Sequence, residues 1–184
     1  MLPEHLLRAW LLGGMILHKV VWEVLKRGRA APRGPLVVRL AKIAVLAGLV
    51  AQTLLPDVLP ISSSPSGLRA IGAAIYTVGL ATAIAARVQL GPNWSDIEAT
   101  GAPRDQRLVS FGLYRFVRHP IYTGDLLLLL GLELALNSWL VAGAGVLAAF
   151  VIHQAMREER ILTASLPGYD AYTKRTWRFI PFVL

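Results

Sequence analysis

The sequence predicts an all-α integral membrane bundle of about five transmembrane helices, in a single domain over residues 1–184, on three observations. Apolar residues fill 55% of the 184 positions and charged residues only 16%, well below the roughly 25% charged of an ordinary soluble domain. The apolar residues gather in five stretches, near 6–25, 36–55, 68–86, 121–136 and 138–152. The basic residues gather in alternate connections between those stretches, as they do in membrane proteins.

The first stretch carries His18, Lys19 and Glu23 in its second half. Lys19 and Glu23 have the i, i+4 spacing of a helical ion pair, and all three suit an interfacial, structural role. The second stretch has Arg39 and Lys42 near its start and is free of charge from Ile43 to Leu55. The third is rich in Ala, Gly and Ile, a composition suited to close helix packing in lipid. The fourth and fifth are joined at Asn137 and Ser138, read as a tight turn. Asp125 and Glu133 lie in the fourth at i and i+8, near one face. A bilayer core of about 30 Å needs about 20 helical residues. The shorter stretches are therefore expected to tilt, to snorkel at their ends, or to be buried among their neighbours.

The net charge of +8 points to anionic lipid rather than nucleic acid, because no polar, aromatic-bearing basic face is visible. Lys26, Arg27, Arg29, Arg33 and Arg39 lie between the first two stretches. Arg87, Arg104, Arg107, Arg115 and Arg118 lie between the third and fourth, and Arg157, Arg160, Lys174, Arg175 and Arg178 follow the fifth. The opposite connections hold Asp57, Arg69 and no charge at Asn137–Ser138. This asymmetry puts the N-terminus outside and the C-terminus in the cytoplasm. No signal-peptide cleavage site stands out. The absence of cysteine excludes disulfides, zinc thiolates and a cysteine nucleophile. His5, His18, His119 and His153 are too scattered for a local metal motif, so no metal is expected.

The two long polar segments, 89–119 and 157–184, share the cytoplasmic side and are placed to build a site over the bundle. Gly91, Pro92, Gly101, Pro103 and Gly112 punctuate the first. Pro167–Gly168 marks a turn in the second, which ends with Trp177, Phe179 and Phe182. Within the first, Leu108 to Gly124 gathers Tyr114, Arg115, Arg118, His119, Pro120 and Tyr122 at the mouth of the fourth helix. Pro120 suits the first helical turn, and the free N–H groups there favour an anion such as a carboxylate. The same cluster also reads as a basic juxtamembrane anchor with interfacial tyrosines. Glu158 and Glu159 stand at the end of the fifth stretch. A cationic partner, either a ligand's ammonium or Arg115 and Arg118, would account for them; a solvated charge cluster is the alternative.

These strings together resemble the isoprenylcysteine carboxyl methyltransferase family, in its prokaryotic branch, which is more loosely related to phospholipid N-methyltransferases. The resemblance runs from Leu90–Ser95 through Arg107–Gly124 and Glu158–Glu159 to Leu166–Tyr172 and Arg178–Pro181. It implies a cytoplasmic pocket for S-adenosyl-L-methionine, closed by the C-terminal segment, with a lipid or isoprenoid-type substrate entering from the bilayer of a prokaryotic cytoplasmic membrane. It places Gln106, Arg107, Leu108, Val109, Tyr114, His119, Pro120, Ile121 and Tyr122 at the cofactor. Glu158 or Glu159 would hold the cofactor's amino group, and Arg115 and Arg118 a substrate or cofactor carboxylate. The eukaryotic members carry an arginine about one turn before the glutamates. Here His153 or Gln154 stands there, so either Arg157 substitutes or carboxylate binding has changed. Methylation of an isoprenylcysteine-like carboxylate is the first reading. A phospholipid or isoprenoid acceptor without a carboxylate, or a membrane reductase of related architecture, remains open. No Gly-rich nucleotide loop after a strand is visible, so a Rossmann-type methyltransferase is not expected.

Overall fold

The computed structural model describes residues 3–26, 35–93 and 107–181. They form five long helices, α1 (Glu4–Lys26), α2 (Leu36–Leu54), α3 (Ser66–Leu90), α4 (Pro120–Ala135) and α5 (Val141–Ser165), and a short α6 (Tyr169–Thr173). Among the described residues there is no sheet, only isolated backbone bridges between Pro60 and Ser138 and between Val117 and Trp177.

All five apolar stretches are helical, and two of them end differently from the expectation. α3 continues past 86 to Leu90 and stops at Gly91, where φ is 52°. Arg87, expected in a basic connection, is therefore inside the helix. It is fully buried and donates to the carbonyls of Leu25 and Gly91, each at 3.1 Å. α5 continues from 152 to Ser165. Hydropathy falls after Ile152, but Gln154, Ala155, Met156, Arg157, Glu158, Glu159 and Arg160 are all strong helix formers. The helix leaves the apolar layer as one rod, and the glutamates lie inside it rather than at its end.

The α3–α4 pair is the centre of the bundle. Gly72 and Gly79 on α3, and Gly124 and Gly131 on α4, each repeat at i and i+7 and so line one face. A Cβ on Gly131 would stand 2.2 Å from the Tyr76 nitrogen, and one on Gly72 2.2 Å from the Ala135 nitrogen. The two backbones thus touch. In lipid, such contact supplies the packing energy that apolar burial alone does not. α1 crosses this pair with Leu7, Leu11 and Met15 against Tyr76, Leu80, Leu132 and Leu136. The Tyr76 hydroxyl donates to the Leu11 carbonyl at 2.7 Å.

At the end of the bundle away from residues 107–119, the few charges are paired. Arg69 reaches Asp57 at 2.7 Å and Glu4 at 2.8 Å, and Arg8 joins the same two acids. Asn137 is fully buried with φ 55°, a conformation asparagine tolerates. It donates to Asp57 and to the Ser62 carbonyl, each at 2.8 Å. Glu133 is buried beside Gln52, which donates to it at 2.7 Å. Toward the opposite end of α1, Lys19 and Glu23 pair at 2.8 Å as their spacing requires.

α2 marks the bundle's medium. Leu36, Val37, Leu40, Ile43 and Val45 are all exposed, and no residue from 35 to 48 is buried. An apolar helix bare on every side is stable against lipid chains and not against water. By length and apolarity alone, Leu36–Leu54 and Ser66–Asn93 qualify as membrane spans. α1 and α5 carry charges and α4 has 16 residues; their place among neighbours, rather than their length, makes them part of the bundle.

Candidate functional site

Pro120 decides how α4 begins. As first helical residue it has no N–H, and His119 before it sits at φ −123°, ψ 55°. The Thr123 N–H already returns to the His119 carbonyl at 3.1 Å. The amides of Ile121 and Tyr122 are thereby left as the orphan donors of the helix mouth.

The C-terminal segment lies along the residues leading into that mouth. Arg118 and His119 donate their backbone N–H to the carbonyls of Trp177 and Arg178, at 2.8 and 3.0 Å, and Trp177 donates to Phe116 at 3.0 Å. The Thr123 hydroxyl closes the run on the Phe179 carbonyl at 3.1 Å.

Side chains lock the same junction. The Glu159 carboxylate, 12% exposed, accepts from Arg118 Nε at 2.8 Å and Arg178 Nη2 at 2.8 Å, and lies 3.1 Å from His119 Nε2. Arg118, itself 10% exposed, gives Nη1 to the carbonyls of Thr173 and Thr176. Burial opposes ionisation of Glu159, but the hydrogen bonds from His119, Arg178 and Arg118 outweigh it and hold the carboxyl far below the usual range. The charge is buried only because it is matched.

Glu158 faces elsewhere, since consecutive helical residues point about 100° apart. Its Oε2 accepts from the Tyr122 hydroxyl at 3.1 Å and lies 3.9 Å from His119 Nδ1, with the side chain 36% exposed. It opens into a cleft that is partly open to solvent. Among the described lining residues Glu158 is the one carboxylate. The pair read as one motif therefore divides into a buried structural acid and an accessible one.

Most of the expected site residues converge on this cleft. Arg107, Leu108, Val109, Tyr114, Arg118, His119, Ile121 and Tyr122 line it with Glu158. Pro120 and Glu159 stand behind the wall. Arg115 does not reach the cleft: it is exposed, with its guanidinium 5.9 Å from the Phe116 ring centre. Gln106 lies outside the described residues. His153 and Arg157 are exposed on α5.

Six further lining residues were not among the expected site residues: Leu90, Asn93, Leu166, Tyr169 and Tyr172, which fall in the strings that carry the resemblance, and Leu162, which does not. For Leu162, one turn past Glu158 on α5, helical continuation past 152 was the signal that would have added it. Gly168, at φ 81°, makes the turn that folds α6 back. There the Tyr172 hydroxyl donates to the Tyr114 carbonyl at 2.7 Å, and burial pushes its phenol up to about 12. The cleft thus offers one carboxylate, the cations of Arg107 and Arg118, the His119 ring, the helix mouth at Ile121 and Tyr122, and apolar and aromatic walls. That donor set suits a zwitterionic amino-acid group attached to a flat aromatic base. Among the described residues no group of three or more His, Asp or Glu gathers as a metal site.

The phospholipid methyltransferase family model matches residues 68–166. A nickel-cobalt-cadmium resistance protein of Alcaligenes xylosoxydans xylosoxydans is 31% identical over 113 residues, covering 60% of this chain and 52% of that protein. Protein-S-isoprenylcysteine O-methyltransferase of Schizosaccharomyces pombe is 32% identical over 101 residues, covering 53% and 43%. A cobalt-zinc-cadmium resistance protein of Cupriavidus metallidurans is 32% identical over 94 residues, covering 50% and 43%. The chain spans about half the length of these curated relatives. A solved structure of the eukaryotic intramembrane Ras methyltransferase, isoprenylcysteine carboxyl methyltransferase, superposes with a TM-score of 0.64 at 18% identity. It covers 94% of this chain and 65% of its own, and at that identity the match concerns the fold.

Proposed function

The chain belongs to the phospholipid methyltransferase family, and from that premise we propose that it transfers a methyl group from S-adenosyl-L-methionine to a lipid-borne acceptor at the cytoplasmic membrane face. One observation carries the reading: of two adjacent glutamates, Glu159 is neutralised by Arg118, Arg178 and His119, whereas Glu158 is held by Tyr122 and faces the cleft. Glu158 would take the donor's ammonium group. The Ile121 and Tyr122 amides and the remaining Nη2 of Arg118 would take its carboxylate, and Leu108, Val109, Leu162, Tyr169 and Tyr172 its adenosine. When bound, the donor supplies a methyl group on a sulfonium, a leaving group already activated by charge. What the chain then contributes is placement of the acceptor and exclusion of water. α6 and the strapped C-terminal segment form the cover on the cytoplasmic side.

The acceptor's tail would lie against the apolar flanks of the bundle. An isoprenylcysteine-like carboxylate, the first expectation, needs a cation of its own. Arg115 is outside the cleft, and Arg118 commits Nε and Nη1 to Glu159, Thr173 and Thr176. Arg107, which is exposed and lines the cleft, is the arginine left for that role. Family membership leaves the reductase reading without support.

The test is transfer itself. The full chain in nanodiscs made from a bacterial lipid extract is incubated with methyl-labelled donor. Label is expected in the lipid fraction, on a species heavier by one methylene; label that never enters lipid overturns the reading.

Orientation is tested separately, on a chain that has no cysteine of its own. Ser63→Cys and Ala164→Cys place single thiols at exposed positions on opposite ends of the bundle. In intact cells a membrane-impermeant reagent is expected to label the first and not the second. The reverse pattern would invert the topology.

A further inference from the structure

Among the described residues, the cleft leaves unused a pair of ionisable side chains that joins two helices of the bundle. His18 of α1 and Asp125 of α4 meet with Nε2 and Oδ1 3.0 Å apart. An acid and an imidazole on membrane helices are costly, and such pairs mark proton or ligand handling. The other polar pair of this kind, Gln52 with Glu133, is buried on both sides. His18 and Asp125 stay accessible, with side chains 25% and 41% exposed. A link that only held α1 against α4 would gain nothing from that access.

Their position connects them to the cleft. Ile121 and Tyr122 line it, and Asp125 follows them at i+4 and i+3, on the same face of α4 and about 5 Å further along the axis. Neither residue lines the cleft itself; Asp125 stands one helical turn along α4 from two residues that do. Trp22 stacks on the imidazole with ring centres 3.9 Å apart and fixes its plane. An ionised Asp125 can only accept a hydrogen bond, so it selects the tautomer with the proton on Nε2 and leaves Nδ1 with its lone pair. An imidazole so oriented presents a ring nitrogen lone pair that can accept a proton, as a general base must.

We propose that His18, positioned by Asp125, removes the proton from the methyl acceptor, so that the lipid substrate reacts through an ammonium or hydroxyl group. This rests on the methyltransferase reading above and narrows its acceptor to groups that must lose a proton. The proton of the X–H bond moves to Nδ1 of His18 and the bonding pair stays on X. That pair forms the bond to the methyl carbon as the donor's carbon–sulfur bond breaks, with its electrons returning to sulfur. The products are the methylated lipid, the thioether form of the donor, and one proton passed from His18 to water. A carboxylate acceptor would need none of this.

The experiment uses the full chain in nanodiscs with methyl-labelled donor and three probes of matched tail: a lipid amine, a lipid phenol and a lipid carboxylate. Wild type is expected to methylate the amine or the phenol, and the responding arm identifies which. His18→Gln is expected to lose about 100-fold or more of that rate, and Asp125→Asn to lose rate in the same direction. Both should bind S-adenosylhomocysteine as the wild type does, which also reports that they are folded. Independently of turnover, nitrogen-15 histidine spectra should show neutral His18 protonated on Nε2, with that preference lost in Asp125→Asn. A His18→Gln variant as fast as wild type overturns the proposal. So does methylation confined to the carboxylate probe, or a proton found on Nδ1. Failure of the wild type to bind S-adenosylhomocysteine removes the methyltransferase reading itself, and the proposal with it.

Discussion

Glu159→Gln is expected to destabilise the protein by about 3 kcal/mol or more at neutral pH, the usual cost of stranding buried charges. The variant keeps the shape of the side chain and removes the one anion that Arg118, Arg178 and His119 share. Arg118 cannot turn to water, because its Nη1 is tied to Thr173 and Thr176. The segment that Trp177 pairs to Phe116 should therefore loosen first. Thermal unfolding in detergent, followed by tryptophan fluorescence, reads this. Acid supplies a second signature. The folded carboxyl ionises well below its ordinary value of 4.5, so its contribution is complete above that value and is lost as pH falls below it. The gap between wild type and variant should be full at neutral pH and close on acidification. A gap absent at neutral pH, or unchanged in acid, contradicts the cluster's role.

Gly131→Val is expected to abolish the folded bundle. Its Cβ would sit 2.2 Å from the Tyr76 nitrogen and 2.6 Å from its Cα, and backbone has no rotamer by which to yield. Overpacking a core costs about 1–3 kcal/mol when side chains can adjust; here the helices themselves must part. Gly143→Val on α5 is the control, since nothing lies within 4 Å of its added carbon. Size-exclusion chromatography after membrane extraction should give a single sharp peak for Gly143→Val and aggregate for Gly131→Val. Equal behaviour would mean that α3 and α4 are not in backbone contact.

Hydropathy located every long helix, because an apolar run in a chain of this charge pattern has few other uses. It located the end of α5 poorly. Hydropathy reports the solvent, and Arg157 to Arg160 change solvent without changing conformation. Arg87 illustrates the converse. A basic residue near a helix end reads as a loop cation, and only the approach of Leu25 from α1 shows it capping carbonyls inside the bundle. The Arg118–His119–Pro120 string and the two glutamates could be grouped from the sequence, and the option that Arg118 answers a glutamate is realised at Glu159. Which glutamate faces the cleft was not legible, because adjacent positions differ only in helical phase, and phase is set by how α5 packs. The His18–Asp125 contact was hidden for a similar reason. Each residue has a plausible local role, and the pair exists only once α1 is laid across α4.

Whether the cleft beside Glu158 holds the methyl donor is decided by calorimetric titration of the detergent-purified full chain with S-adenosylhomocysteine. Wild type should bind saturably in the micromolar range. Glu158→Gln, which removes one charge-assisted hydrogen bond, should weaken binding by about 10- to 100-fold. A wild type that does not bind, or a Glu158→Gln variant that binds equally well, would contradict the site.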